Sequence, residues 1–180
     1  FYFSGDRENG GIFRHAAMMA AAASLKAAKT VQDSTLAKRL ADLAFYMMEK
    51  TLPYRTLATP YETKGNPRYC TQYNNSQTGE NIGPILSGTA SWLVLALFEM
   101  FGFEQRDGML SFSPVLNGGG RMSYRLNLDQ YGTALTVEIE SRDGAFRIGG
   151  STEFELDGKH CSNTIPIPRD KKTHILRVSL

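Results

Sequence analysis

The first candidate functional segment lies near the start of the chain and combines charged, amide and glycine residues: RENGGIFRH, residues 7–15. The glycines permit close backbone approach and unusual dihedral angles. His15 falls in the first turn of a predicted helix, where free N–H groups and the helix dipole favour an anion. The same residues also suit a plain turn, in which Asn9 caps the helix and His15 is a hydrogen-bonded core histidine. Spacing alone leaves both interpretations open.

A second candidate cluster is GPILSGTASW, residues 83–92, at the start of another predicted helix. A hydroxyl from Ser87 or Thr89, followed by exposed N–H groups at a helix N-terminus, is suited to phosphate. An ordinary N-cap is the alternative. Just before this cluster, Glu80 and Asn81 fit either sugar ligands or a solvated loop.

Three helices are predicted in the first 104 residues, at 13–29, 34–50 and 89–101. Residues 16–23 are alanine-rich and apolar on every side, so we expect them to be buried on every side. The third helix is apolar nearly all round, whereas the second is amphipathic, with one apolar stripe of Leu36, Leu40, Leu43 and Met47. This alternation is typical of the two rings of an α/α barrel. It predicts neighbouring helices beyond this chain.

A long loop is predicted between the second and third helices, at 51–84, rich in Pro, Gly, Asn and Thr. Structureless loops of this length are usually functional or disordered. Four tyrosines indicate an ordered loop packed on something: Tyr54, Tyr61, Tyr69 and Tyr73.

The remainder of the chain predicts a small antiparallel β-sandwich, because short runs alternate with turn pairs such as Asp-Gly. Leu135, Val137 and Ile139 alternate with polar residues, as in a half-buried strand. The predicted strands are 110–113, 122–128, 134–140, 146–148, 153–156, 164–167 and 174–178. The predicted fold class is therefore α+β, with a helical part at 1–104 and a β part at 105–180.

Composition excludes several classes of function. The net charge of +2 is too small to indicate nucleic acid or an anionic membrane as partner. The longest apolar stretch, 90–103, is shorter than the ~20 residues that span a bilayer. Cys70 and Cys161 have no metal-like spacing, which favours a reduced pair and a cytoplasmic protein. The chain opens with Phe1 inside an apparent loop, which suggests a fragment.

Taken together, three segments resemble the cellobiose phosphorylase family of inverting glycoside phosphorylases. RENGGIFRHA resembles the family's RENGGxYxHA signature, and SGTASW resembles its TGSAGW signature. DGMLSFSPVL is similar to the DGxLxxxPxxP entry into its C-terminal β-domain. The matches occur in the family's order, over about residues 2–116.

The resemblance implies an N-terminal β-sandwich, a helical linker, an (α/α)6 catalytic barrel and a C-terminal β-domain. This chain would hold the last barrel helices and that final domain. In the implied reaction, inorganic phosphate attacks the anomeric carbon of a β-linked gluco-sugar with inversion and releases an α-sugar 1-phosphate. Phosphate replaces the water and base of an inverting hydrolase, so one protein carboxylic acid suffices. That acid is an Asp expected upstream, and no residue of this chain matches it.

The family's binding residues carry over at matched positions only. The implied phosphate ligands are His15, Ser87 (a threonine in many members) and Gly88. The implied sugar-binding residues are Tyr2, Arg7 and Glu8. No metal and no cofactor are implied besides phosphate as co-substrate, and the expected partners are a β-linked oligosaccharide, the missing part of the barrel and a second copy in a homodimer.

Departures from the family leave the substrate open. Arg14 and the loop YCTQYNNSQTGENIGP differ from the best-known cellobiose enzymes, at places where the acceptor is chosen. A β-1,2-oligoglucan is as plausible here as cellobiose or a cellodextrin. Two other functions compete with phosphorolysis: an α/α-barrel glycoside hydrolase, which would need a water-activating carboxylate, and a non-catalytic carbohydrate-binding fragment.

Overall fold

The computed structural model describes residues 2–53, 70–83, 88–116, 118, 120–128, 132–141 and 152–180. It shows an α+β chain in two compact units, Phe1–Phe98 and Glu99–Leu180. The sequence analysis places the boundary after residue 104, whereas these units divide within the third helix.

Two helices, α1 (Arg14–Ala28) and α2 (Ser34–Thr51), pack against each other in the first unit. Asp33 caps α2, because its carboxylate accepts from the backbone N–H of Thr35 and of Leu36. The third helix, α3, spans Gly88–Phe101. All three helices predicted from the sequence are confirmed to within a residue at each end.

The faces that these helices bury differ from the prediction. In α1 the buried residues are Met18, Ala21, Ala22, Leu25 and Ala28, while Ala16, Met19, Ala20 and Ala23 are exposed, so burial on every side is wrong for this chain. In α2 the leucine stripe is not the packed face, since Leu36 and Leu43 are exposed. The buried residues are Ala37, Ala41, Ala44, Met48 and Thr51. Small side chains let two helix backbones approach closely, and the two alanine faces therefore meet.

A small antiparallel sheet lies beside the start of α1. Its strands are β1 (Ile12–Phe13), β2 (Tyr73–Asn74) and β3 (Asn81–Ile82), in that order. The predicted loop at 51–84 therefore contains a hairpin that the sequence did not predict, and Tyr73 is buried in it, as expected for an ordered loop. Residues 54–69, with Tyr54, Tyr61 and Tyr69, lie outside the described residues.

The second unit contains two sheets. One has the order β10-β5-β4 and the other β6-β7-β11-β8-β9. The strands are β4 (Phe103–Arg106), β5 (Met109–Phe112), β6 (Gly120–Leu128), β7 (Thr133–Ser141), β8 (Glu153–Leu156), β9 (Lys159–Cys161), β10 (Thr164–Pro166) and β11 (Thr173–Ser179). Six of the seven predicted strands are confirmed, and the seventh, 146–148, lies outside the described residues.

The larger sheet departs from an all-antiparallel arrangement at one place, where β11 runs parallel to β7. The chain leaves this sheet after β9, since β10 pairs with β5 in the other sheet, and then returns between β7 and β8. The core between strands is aliphatic and aromatic: Leu110, Phe112, Leu135, Val137, Ile139, Leu176 and Val178 are almost wholly buried.

Two strands that the sequence analysis missed, β4 and β9, are the partners of predicted ones across tight turns. Asp107 and Gly108 join β4 to β5, and Asp157 and Gly158 join β8 to β9. Positive φ at both central residues matches the two-residue hairpin turn that suits strand twist. The Asp-Gly pairs were therefore hairpin signals.

None of the helices in the described residues combines the length and apolar character that crossing a bilayer would require. Cys70 and Cys161 are both free thiols. Burial raises the pKa of each thiol.

Gly102, directly after α3, offers a stability test of the second unit. Its φ is +68°, and an added Cβ would lie 2.1 Å from the carbonyl oxygen of Ser113. We expect Gly102→Ala to lower the free energy of unfolding by at least about 3 kcal/mol, since backbone strain and a backbone clash combine. Gly158→Ala is the matched control, with φ +78° and nothing within 4 Å of the added Cβ; it should cost about 1 kcal/mol. Urea unfolding of both variants measures this, and equal costs would contradict the close approach of Gly102 to Ser113.

Candidate functional site

The loop before α1 is tightly wound by its own backbone. Gly5 N–H donates to the Asn9 carbonyl at 2.8 Å and Gly11 N–H donates to the Arg7 carbonyl at 2.7 Å. Arg7 has a positive φ of 43°. A Cβ on Gly11 would lie 2.6 Å from the Arg7 backbone nitrogen, so only glycine fits there. The two-glycine run is thus required by the turn itself.

The hairpin β2–β3 holds this loop from the other side. The Ser76 N–H donates to the Gly5 carbonyl at 2.9 Å, and the Gln77 amide donates to the Ser4 hydroxyl at 2.6 Å. At the base of α1, the Arg14 N–H donates to the Gln72 carbonyl at 2.8 Å. These contacts place residues of the hairpin directly against the RENGG run.

Arg7 joins two tyrosines from these two segments. Its Nε donates to the Tyr73 hydroxyl at 2.6 Å and its Nη1 donates to the Tyr2 hydroxyl at 3.2 Å. The guanidinium carbon also lies 4.9 Å from the centre of the Tyr2 ring and 5.6 Å from that of Tyr73. The hydrogen bonds to Tyr2 and Tyr73 raise the pKa of Arg7, which keeps the side chain cationic.

A cavity of about 230 Å³ opens beside this cluster. It is smaller than the ~300–1,000 Å³ of sites for drug-sized ligands, and its size is that of a single sugar ring or a smaller group. Its wall combines a carboxylate, a guanidinium, an amide and two aromatic rings. The lining residues are Arg7, Glu8, Phe13, Gln72, Tyr73 and Gly83.

Phe13 lies next to both His15 and Tyr73. The Phe13 ring is 5.6 Å from the His15 ring in an edge-on arrangement and 5.6 Å from the Tyr73 ring. Gly88, the first residue of α3, is a direct neighbour of His15, because a Cβ built on Gly88 would lie 3.6 Å from the His15 Cβ. The structure therefore brings together His15 and Gly88.

The imidazole has an unsatisfied nitrogen. His15 Nδ1 is buried and has no hydrogen-bond partner in the part of the chain that the structure describes. A buried polar atom that has lost its hydrogen bonds to water is destabilising unless another partner replaces them. An oxygen atom of a ligand could form that hydrogen bond with His15 Nδ1. The ring also stands in the first turn of α1, where the backbone N–H groups give partial positive charge.

Asn9 does not cap α1, which corrects one alternative drawn from the sequence. The N-cap residue is Phe13, and it supplies no side-chain hydrogen bond. The Asn9 amide donates instead to the Tyr2 carbonyl at 3.1 Å. Asn9 therefore stabilises the loop, and the first turn of α1 is left without a cap from its own N-cap residue.

Arg14 connects α1 to α2 and β2 by hydrogen bonds. Its guanidinium donates to the Lys50 carbonyl in the last turn of α2 and to the Asn74 side-chain oxygen in β2. Burial lowers the pKa of Arg14. Arg14 is absent from the described lining of the cavity, and its two side-chain contacts join α1, α2 and β2.

Of the residues selected from the sequence, Tyr2, Arg7 and Glu8 gather at the cavity and its neighbouring cluster, and His15 adjoins Gly88. Ser87 lies outside the described residues. Gln72 and Tyr73 were not predicted to line a site, and Gly83 was predicted only as the first residue of the second cluster. The sequence carried one signal of the β2–β3 hairpin, the asparagine at position 75, because asparagine favours turns between short strands. In the structure the Asn75 side chain accepts from the N–H of Gln77 and of Thr78.

Within the described ranges, His, Cys, Asp and Glu form no group that could hold a metal ion. No model of a known protein family matches the chain. No curated protein matches it either.

The structural role of Arg14 can be tested by stability. Charge-assisted hydrogen bonds contribute about 1.5–3 kcal/mol, so we expect Arg14→Met to lower the free energy of unfolding by about 2–3 kcal/mol. Arg39→Met is the control, because Arg39 is exposed on α2 and surface changes stay within about 0.5 kcal/mol. Chemical denaturation compares the two. A cost for Arg14→Met no larger than the control would show that its two contacts do not stabilise the unit.

Proposed function

We propose that this chain is the C-terminal portion of an inverting glycoside phosphorylase of the cellobiose phosphorylase type. In this proposal α1, α2 and α3 are terminal helices of an (α/α)6 barrel and the second unit is its small β-sandwich domain. The complete protein would cleave a β-linked glucooligosaccharide with inorganic phosphate and release an α-sugar 1-phosphate.

The observation that carries the proposal is the closeness of His15 to Gly88. These residues come from the two segments with family signatures, and 3.6 Å separates the His15 Cβ from an ideal Cβ on Gly88. A phosphate at this place would meet the N-terminus of α3, the first turn of α1 and the unsatisfied Nδ1 of His15. A protonated imidazole would add charge complementary to the dianion.

The neighbouring cavity supports a sugar site next to that anion site. Carboxylate and amide groups such as Glu8 and Gln72 hydrogen-bond hydroxyls, while aromatic rings such as Tyr73 pack against the apolar faces of a pyranose. Phe13 contacts both His15 and Tyr73, so the two sites would share one wall. Transfer between a sugar and phosphate requires that the two be held side by side.

The chemistry in this proposal divides between phosphate and a protein acid. Phosphate is the nucleophile. One of its oxygens forms a bond to the anomeric carbon and loses negative charge, while the bond from that carbon to the leaving oxygen breaks. His15 and the Gly88 N–H hold phosphate and lower the repulsion among its oxygens. The leaving oxygen receives its proton from an aspartic acid that the proposal places outside this chain. We therefore expect the purified 180-residue chain to release no sugar 1-phosphate from any β-glucan oligomer.

A carbohydrate-binding fragment without catalysis is the second candidate. The same cavity favours it, since Arg7, Glu8 and Tyr73 could bind a sugar without phosphate. Binding measurements on the chain separate the two candidates. Only the phosphorylase proposal requires that inorganic phosphate bind to the chain, either in competition with the sugar or beside it.

Replacing His15 tests the proposal in the complete enzyme. Loss of one charge-assisted hydrogen bond, about 1.5–3 kcal/mol, should reduce phosphate use by roughly 10- to 100-fold in His15→Ala. Sugar affinity should change less, because Glu8 and Tyr73 remain. Steady-state kinetics with phosphate and oligosaccharide varied separately provide the measurement.

His160→Ala is the matched control, since His160 is an exposed histidine on β9. It should leave both kinetic constants unchanged. An unaltered phosphate dependence in His15→Ala, together with a large loss of sugar affinity, would reassign His15 to the sugar and contradict the anion site.

A further inference from the structure

A histidine in the second unit has both ring nitrogens engaged by carboxylates. His174, in β11, places Nδ1 2.7 Å from Asp157 Oδ2 and Nε2 2.9 Å from Asp170 Oδ1. The His174 side chain is 14% exposed, whereas the two aspartates are about half exposed. Asp157 belongs to the β8–β9 turn and Asp170 to the connection between β10 and β11. Three separate segments therefore meet at one imidazole.

The donor and acceptor chemistry fixes the state of this ring. An ionised carboxylate only accepts hydrogen bonds, so each ring nitrogen that faces one must donate. A neutral imidazole carries a single N–H, and it would direct a lone pair at one of the carboxylate oxygens. Both contacts can exist together only when His174 is an imidazolium.

The surroundings agree with this charge. Asp157 Oδ1 accepts from the Ile175 N–H at 2.9 Å, and Asp170 Oδ1 accepts from the Lys172 N–H at 3.2 Å. Lys172 Nζ also lies 3.9 Å from Asp170 Oδ2. On the remaining side β7 places Leu135 in register with His174 and adds no charge there.

We propose that His174 is a protonation-dependent clamp that fastens the β10–β11 connection to the β8–β9 turn and releases Asp170 when the ring becomes neutral. Asp157 stays in place because its backbone N–H donates to the Ile175 carbonyl at 2.9 Å and its carboxylate holds the Ile175 N–H. Among the described residues, Asp170 then keeps only its local contacts to Lys172. Two hydrogen bonds from backbone N–H groups hold the rest of the connection. The Lys171 N–H donates to the Thr133 hydroxyl, and the Ala134 N–H donates to the Lys172 carbonyl. The release is therefore confined to residues 168–170.

The direction of the pH dependence follows from the two kinds of group. The hydrogen bonds to Asp157 and Asp170 raise the pKa of His174, so the clamp is complete below about pH 6.5, the ordinary histidine value, and is lost as the pH rises through the raised one. The hydrogen bond to His174 lowers the pKa of both aspartates, so their contribution is complete above about pH 4 and is lost as the pH falls through the lowered values. The second unit should be most stable between these limits.

Nuclear magnetic resonance of the whole 180-residue chain tests the clamp directly. At pH 6, both ring nitrogens of His174 should carry protons, and the midpoint of its titration should lie above that of an unperturbed histidine. Asp170→Asn removes one acceptor charge and should lower that midpoint by about 1 pH unit. Amide exchange at Arg169 and Asp170, corrected for its intrinsic rise with pH, should accelerate above the midpoint, while the Ile175 amide stays protected.

The controls separate a clamp from a passive ion pair. Glu104→Gln, at an exposed position of β4, should leave the His174 midpoint unchanged. If Asp170→Asn unfolds the chain, the ring nitrogens of His174 and the amides of Arg169 and Asp170 in the unmodified chain still decide the question. A single-tautomer, neutral ring at pH 6 would overturn the proposal, and so would corrected exchange at Arg169 and Asp170 that does not follow the titration of His174.

Discussion

Backbone pairing between β1 and β2 is the contact on which the candidate site depends. Arg7 and Tyr73 are 66 positions apart, and the pairing of Phe13 with Tyr73 brings their segments together. The same pairing sets α1 at its starting angle, because the Arg14 N–H is bonded to the Gln72 carbonyl. His15, in the first turn of α1, is thereby placed beside Gly88. Without this two-residue ladder, the guanidinium cluster, the cavity and the first turn of α1 would be three unconnected features.

The helices and most strands could be predicted because local rules determine them. Alanine propensity marks α1, and alternation of Leu135, Val137 and Ile139 marks β7. The packed face of α2 could not be predicted from hydrophobicity, since Leu36 and Leu43 are exposed while Ala37, Ala41 and Ala44 are buried. Close approach between helices depends on side-chain size, which is a property of both partners and not of one sequence window.

The site divides in the same way. Residue types and spacing drew attention to the two clusters but left an ordinary turn and an ordinary N-cap open, and the family resemblance singled out Arg7, Glu8, His15 and Gly88. The part that Gln72 and Gly83 take in the cavity could not be predicted, since it comes from strand pairing across a long connection. The contacts of Arg14 could not be predicted for a related reason. A guanidinium next to a candidate site residue in sequence can point to the other side of a short strand, and here it binds the end of α2.

The parallel pairing of β11 with β7 has a consequence for how the second unit forms. β11 lies between β7 and β8, so the last strand in the sequence is an inner strand of the sheet. Until residues through Ser179 have left the ribosome, β7 and β8 have no common neighbour, and the apolar side chains of both remain uncovered. Pairing over such a long sequence separation closes slowly. During synthesis this sheet can therefore be completed only after β11 has emerged, whereas the helix pair α1–α2 can form as soon as it emerges.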